Sequence, residues 1–69
     1  MEVRSVVHGR VLEVPVTLGT SVVEGDDLVI VESMKMEVPI SAPAAGTVAR
    51  ILVSPGDSVA EGALVVVLE

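Results

Sequence analysis

Along the chain, apolar residues fall in short runs broken by glycine, proline and acidic positions. No stretch of ten residues keeps its apolar side chains at the helical period of about 3.6, so the pattern is one of strands and turns. Val3–His8 reads as a first strand. Val11–Val16 reads as a second, with Leu12, Val14 and Val16 on one face and Glu13 on the other. Val48–Val53 has the same form, with Ile51 and Val53 inward and Arg50 outward. Leu28–Ser33 and Leu64–Leu68 are apolar runs of strand length, Met36–Ser41 is another, and Ser21–Val23 and Ser58–Ala60 are short extensions between turns. Pro15 belongs near an edge or a strand end. The expected fold is all-β, a small flattened barrel or sandwich. Val14, Val16, Ile30, Ile51, Val53 and Val67 are expected to be buried in it.

The pattern occurs twice. A shift of 37 superposes Gly9, Gly19 and Gly25 on Gly46, Gly56 and Gly62, which are all six glycines of the chain. Between 9–32 and 46–69, ten of 24 positions are identical, among them Val11/Val48, Ser21/Ser58, Val22/Val59, Glu24/Glu61 and Val29/Val66. Glycine is needed where φ is positive or where backbones pass closely. Pairing every glycine at one offset therefore implies two copies of one folded unit, related by a pseudo-twofold and packed face to face. One domain over 1–69 is expected, with quasi-repeats 9–32 and 46–69 and a hairpin at 33–41 between them.

Composition narrows the function. The chain has 69 residues, ten acids, four Lys and Arg, a net charge of −6, no aromatic residue and no cysteine. Disulfides and thiolate metal sites are excluded. Nucleic-acid binding is not expected, because phosphate neutralisation needs bases and base stacking needs rings. The longest unbroken apolar run, Ala63–Leu68, is far short of a membrane span. The start Met1-Glu2-Val3-Arg4 is not a signal peptide, so a soluble cytoplasmic protein is expected; a monomer is the expected state. The absence of a proline-rich linker favours a complete stand-alone protein. Ordering such a chain costs on the order of 100 kcal/mol of conformational entropy, which small aliphatic side chains must offset. That leaves little surface for a deep substrate pocket, and a carrier, binding or structural role is favoured over catalysis.

Chemistry concentrates between the repeats. Ser33-Met34-Lys35-Met36 joins two strand-length runs in a tight hairpin whose tip falls at Met34–Lys35, although neither is a usual turn residue. Such violations of local preference are enriched at functional sites. Lys35 is the sole lysine of the chain. A long amine on a rigid hairpin tip suits acylation. An ordinary lysine is almost wholly protonated near neutral pH, so the reaction needs an activated acyl donor and an enzyme that deprotonates the amine. Elsewhere the readings are plainer: His8, with no second histidine, is a turn residue rather than a metal ligand. Asp26-Asp27 is a polar turn, and Glu24 and Glu61 are solvated turn positions.

Glu32-Ser33-Met34-Lys35-Met36-Glu37, followed by Ala42-Pro43 and Gly46-Thr47-Val48, resembles the biotin-attachment signature of biotinyl/lipoyl carrier domains. Met-Lys-Met is its most specific part, and the resemblance covers essentially the whole chain. It implies a barrel-sandwich hybrid of two four-stranded sheets with pseudo-twofold symmetry. It implies that Lys35 is biotinylated by biotin protein ligase from biotinyl-5′-adenylate, with Glu32, Met34, Met36 and Glu37 recognised by the ligase or partner enzymes. The implied partners are biotin carboxylase and carboxyltransferase, between which a tethered biotin carries carboxyl groups. The small stand-alone attachment proteins of the family are the nearest in form, the same domain also ends biotin carboxylase and carboxyltransferase subunits, and the missing thumb insertion argues against one branch of bacterial acetyl-CoA carboxylase carriers. Two alternatives follow from the same resemblance. One is a lipoyl carrier modified on the same lysine, although that branch usually has Asp before the lysine and Ala after it. The other is a cofactor-free structural barrel of the kind found in efflux-pump adaptors, whose halves are usually split by a long helical hairpin; here they are joined directly and the lysine is present.

Overall fold

Seventeen valines, stiff at χ1 and suited to a pleated surface, put the chain into eight strands and no helix in the computed structural model, which describes Met1–Glu69 throughout. The strands are β1 (Glu2–Arg4), β2 (Gly9–Glu13), β3 (Ser21–Val22), β4 (Asp27–Ser33), β5 (Met36–Ser41), β6 (Gly46–Ile51), β7 (Ser58–Val59) and β8 (Leu64–Leu68). They form two four-stranded antiparallel sheets, ordered β1-β8-β6-β3 and β5-β4-β2-β7. The sheets face each other without closing into a barrel. Of the two architectures expected, the molecule is the sandwich.

The offset of 37 recurs in the backbone hydrogen bonds. Gly19 donates to the Val48 carbonyl and Gly56 to that of Val11, each at 2.8 Å. Gly25 donates to Ala42 and Gly62 to Ser5. These four glycines have φ between 87° and 96°, a region that costs an L-residue about 1–2 kcal/mol. Gly9 and Gly46 serve differently. Both lie inside strands, not in turns, and a Cβ on Gly9 would overlap the Glu32 carbonyl oxygen, while one on Gly46 would sit 2.9 Å from that of Glu69. Even the side chains bracing equivalent turns correspond: Thr20 Oγ1 accepts from the Thr17 N–H at 3.2 Å, and Asp57 Oδ2 from the Ser54 N–H at 2.8 Å.

Thirteen buried aliphatic residues make one core, including Val11, Leu28, Val29 and Val31 from one sheet and Val48, Val65, Val66 and Leu68 from the other. This corrects the expected core. Val14, Val16, Ile51 and Val53 are half-buried and pack on its margin. Ile30 and Val67 are also only half-buried. They lie opposite the exposed Glu13 and Arg50, on the outer faces of their sheets. In β2 and β6 the facing is reset by bulges, again in equivalent places, between Val11 and Glu13 and between Val48 and Arg50. Each inserts one residue and shifts the alternation. Val11 points inward, whereas Leu12, expected on the inner face, is 37% exposed.

Strand ends moved as well. The run expected to extend to His8 leaves β1 at Ser5, a buried residue whose Oγ donates to the Val7 carbonyl at 2.6 Å. Glu13 ends β2 two residues before Pro15, in keeping with the missing amide donor of proline.

Between the edge strands β1 and β5 an open seam remains. It is lined by Glu2, Val3, Arg4 and Val6 and by their mates Pro39, Ile40, Ser41 and Pro43, so it lies on the pseudo-twofold. From the β4–β5 tip, β5 runs to Ser41, and a four-residue connection enters β6 at Gly46, beside the last residues of β8. Thr47 exchanges backbone hydrogen bonds with Glu69, and the Met1 ammonium donates to the Leu68 carbonyl. The chain ends thus occupy the end of the sandwich away from the tip.

Candidate functional site

The β4–β5 hairpin joins an interior strand of its sheet, β4, to the edge strand β5. β4 lies between β2 and β5, and its Leu28, Val29 and Val31 are fully buried. The two arms stay in register to the end, with Glu32 opposite Glu37 and Ser33 opposite Met36. Only Met34 and Lys35 remain to close the chain.

That closure requires left-handed backbone at both positions. Met34 has φ 52° and Lys35 φ 65°, and they are the only non-glycine residues with positive φ. Positive φ at both central residues is the mark of a type I′ hairpin turn, which matches the twist of its strands and normally takes Asn-Gly. Here a methionine and a lysine adopt it, at roughly 1–2 kcal/mol each. Strain of this kind persists where surrounding structure over-determines it, and it clusters at functional sites. The lack of Gly, Asn or Asp at the tip was the signal in the sequence; the matched pair of φ values was not readable there.

The tip is presented to solvent. Met34 is 92% exposed and Met36 65%. Lys35 is exposed and makes neither hydrogen bond nor ion pair, since the single salt bridge joins Arg4 to Glu2 at 2.7 Å. Glu32 and Glu37 are exposed and face each other across the strands. Like charges directly opposite are unfavourable, and the cation nearest in the ladder is Arg10 of β2, opposite Glu32. The hairpin therefore gathers Glu32, Met34, Lys35, Met36 and Glu37 within one turn. His8 is exposed and precedes Gly9, which passes against the Glu32 backbone, so it lies beside the hairpin arm; Asp26 is engaged in its own turn, where Oδ2 accepts from the Val23 N–H at 3.0 Å.

No cavity surrounds Lys35. The concavity of the molecule is the seam between β1 and β5, and no residue of the tip lines it. A free amine on a strained, exposed tip suits a group attached covalently and handed to other proteins; it is not built to enclose a ligand.

Comparison with known proteins gives the family. Residues 1–68 match the biotin/lipoyl family model described as "Biotin-requiring enzyme". The chain is 45% identical over 67 residues to the biotinylated protein TB7.3 homolog of Mycobacterium leprae, covering 97% of this chain and 94% of that one. It is 41% identical over 66 residues to the human mitochondrial propionyl-CoA carboxylase alpha chain, covering 96% of this chain but 9% of the relative. In space it matches the crystal structure of Kluyveromyces lactis urea carboxylase with a TM-score of 0.96 at 35% identity, over 100% of this chain and 6% of that one. The chain belongs to the biotin-requiring family and is a small biotinyl carrier domain, homologous to the carrier domains of biotin-dependent carboxylases and not itself a catalytic domain.

Proposed function

We propose that Lys35 is the biotin-attachment residue and that the chain is a carboxyl carrier for a biotin-dependent carboxylase. The observation that carries this reading is the position of the sole lysine: free, exposed and flanked by Met34 and Met36 at the tip of a strained hairpin, in a chain whose family requires biotin. In the attachment step the deprotonated Nζ of Lys35 attacks the acyl carbon of biotinyl-5′-adenylate held by biotin protein ligase. An amide forms, AMP leaves, and the amine gives up a proton to the ligase. The attached bicyclic ring supplies the carboxyl-carrying chemistry, at biotin carboxylase on one side and carboxyltransferase on the other.

What the chain supplies is address and reach. The lysine stem and the acyl chain together span on the order of 14 Å at roughly 1.5 Å per bond. Tethering replaces diffusional encounter by a local concentration in the millimolar range. The rigid β4–β5 arms fix the root of this tether. Met34 and Met36 offer soft apolar contacts to visiting enzymes, and Glu32 and Glu37 offer a carboxylate pair to a cationic one. The same reading takes the chain to be a cytoplasmic monomer that docks transiently.

The test is intact-protein mass spectrometry after incubation with biotin, ATP and a biotin protein ligase. A gain of roughly 226 Da on Lys35 is expected, and Lys35→Arg should abolish it while leaving the β-sheet circular dichroism unchanged. Labelling that survives Lys35→Arg refutes the site. A gain of roughly 188 Da with lipoate and its ligase, but none with biotin, would move the chain to the lipoyl branch.

A further inference from the structure

The two thioethers beside the attachment lysine are the most accessible oxidisable groups in the molecule. Met34 is 92% exposed, Met36 65% and Met1, the third methionine, 56%. There is no cysteine to intercept an oxidant first. None of the three methionines belongs to the core, which is built of valine, leucine, isoleucine and alanine. Sulfur chemistry at the tip is thus separated from the forces that hold the fold.

We infer that Met34 and Met36 form an oxidation-sensitive site that controls access to Lys35, an inference that rests on the attachment reading above. Hydrogen peroxide is the co-reactant. The thioether sulfur attacks one peroxide oxygen, the O–O bond breaks, a sulfoxide forms and water leaves; sulfur loses two electrons and the peroxide gains them. The product replaces a flexible apolar side chain by a polar, chiral one. On the attachment reading Met34 and Met36 offer the ligase apolar contacts, and a polar sulfoxide on each opposes docking on both sides of the lysine. The φ angles at the tip and the register of β4 with β5 are set by backbone pairing, so the hairpin itself stays in place. The modification is reversible by methionine sulfoxide reductases, which makes it a switch rather than damage alone.

The experiment compares the full chain before and after peroxide treatment, with fragment mass spectra locating each gain of about 16 Da. The expected result is oxidation at Met34 and Met36, an unchanged melting temperature, and a roughly tenfold fall in kcat/KM for ligase-catalysed biotinylation. Treatment with methionine sulfoxide reductases should restore the rate. Each of Met34→Leu, Met36→Leu and the double variant is compared only with itself, as a ratio of rates with and without peroxide. The double variant, still oxidisable at Met1, should give a ratio near one. Equal rates for the oxidised and unoxidised chain, or a fall that persists in the double variant, overturn the inference while leaving Lys35 as the site. Absence of labelling before any oxidation overturns the attachment reading and the switch with it.

Discussion

Replacing Met34 by asparagine tests whether the tip stores strain. Met34 holds φ at 52°, where an ordinary L-residue is disfavoured by about 1–2 kcal/mol and asparagine is several-fold enriched. The side chain is 92% exposed, so its loss forfeits only about 0.2 kcal/mol of the roughly 1.5–3 kcal/mol that full burial of a methionine contributes. Strain relief wins, and Met34→Asn should stabilise the domain by about 0.5–1 kcal/mol. In a domain of this size that corresponds to a rise in Tm of about 3–6 °C. Thermal unfolding followed by circular dichroism measures it. The same substitution two residues on provides the contrast. Met36 is a strand residue paired with Ser33, where asparagine is disfavoured, so Met36→Asn should lower Tm. In the ligase assay both variants should be labelled more slowly, because each removes a thioether beside Lys35. A Tm for Met34→Asn equal to or below that of the parent would refute the strained-turn reasoning. Stability rising while labelling falls would instead show a turn selected for its visitors over its own stability.

Two further predictions concern the frame. Gly9→Ala should be severely destabilising, because its Cβ would overlap the Glu32 carbonyl within the paired β2–β4 backbone, whereas Gly46→Ala, 2.9 Å from the carbonyl of the terminal Glu69, should cost less; urea unfolding of the two ranks them. Leu28→Ala, at a fully buried position, should lose about 2–5 kcal/mol, enough to leave much of so small a domain unfolded, while Ile30→Ala on the outer face of the same strand should lose distinctly less by the same assay.

All eight strands were legible because β-branched runs between turn residues have few other solutions. Their facing was not. Alternation placed Leu12 inside and missed Val11, because a bulge adds a residue without changing composition: nothing in Leu12 or Ala49 announces that it is the extra one. Continuous apolar runs such as Leu64–Leu68 have no polar residue to mark the outer face, which is why Val67 was expected in the core. The repeat itself held a better signal. Val11/Val48, Val22/Val59 and Val29/Val66 are identical between the copies, and all six residues are buried. Buried mates across the pseudo-twofold stay aliphatic even where they differ, as in Leu28/Val65 and Val31/Leu68, while outer-face mates such as Glu13/Arg50 are free to diverge. A valine matched by valine across the offset therefore marks the core where alternation fails, the fourth such pair, Val16/Val53, lying half-buried on its margin.

The same constraint explains where the attachment site lies. Between Glu32 and the β5 residues that pair with the core, the hairpin residues Ser33 to Glu37 have no mates within the chain under the offset of 37. They share no core volume with a partner copy, and the backbone arms of β4 and β5 hold them whatever their side chains. Selection can therefore place costly choices there: two L-residues in left-handed conformation, two carboxylates face to face, and two exposed thioethers. Each of these works against the stability of the domain, and together they surround one lysine. The repeats make the fold tolerant, and the unmatched segment between them is where that tolerance is turned to recognition.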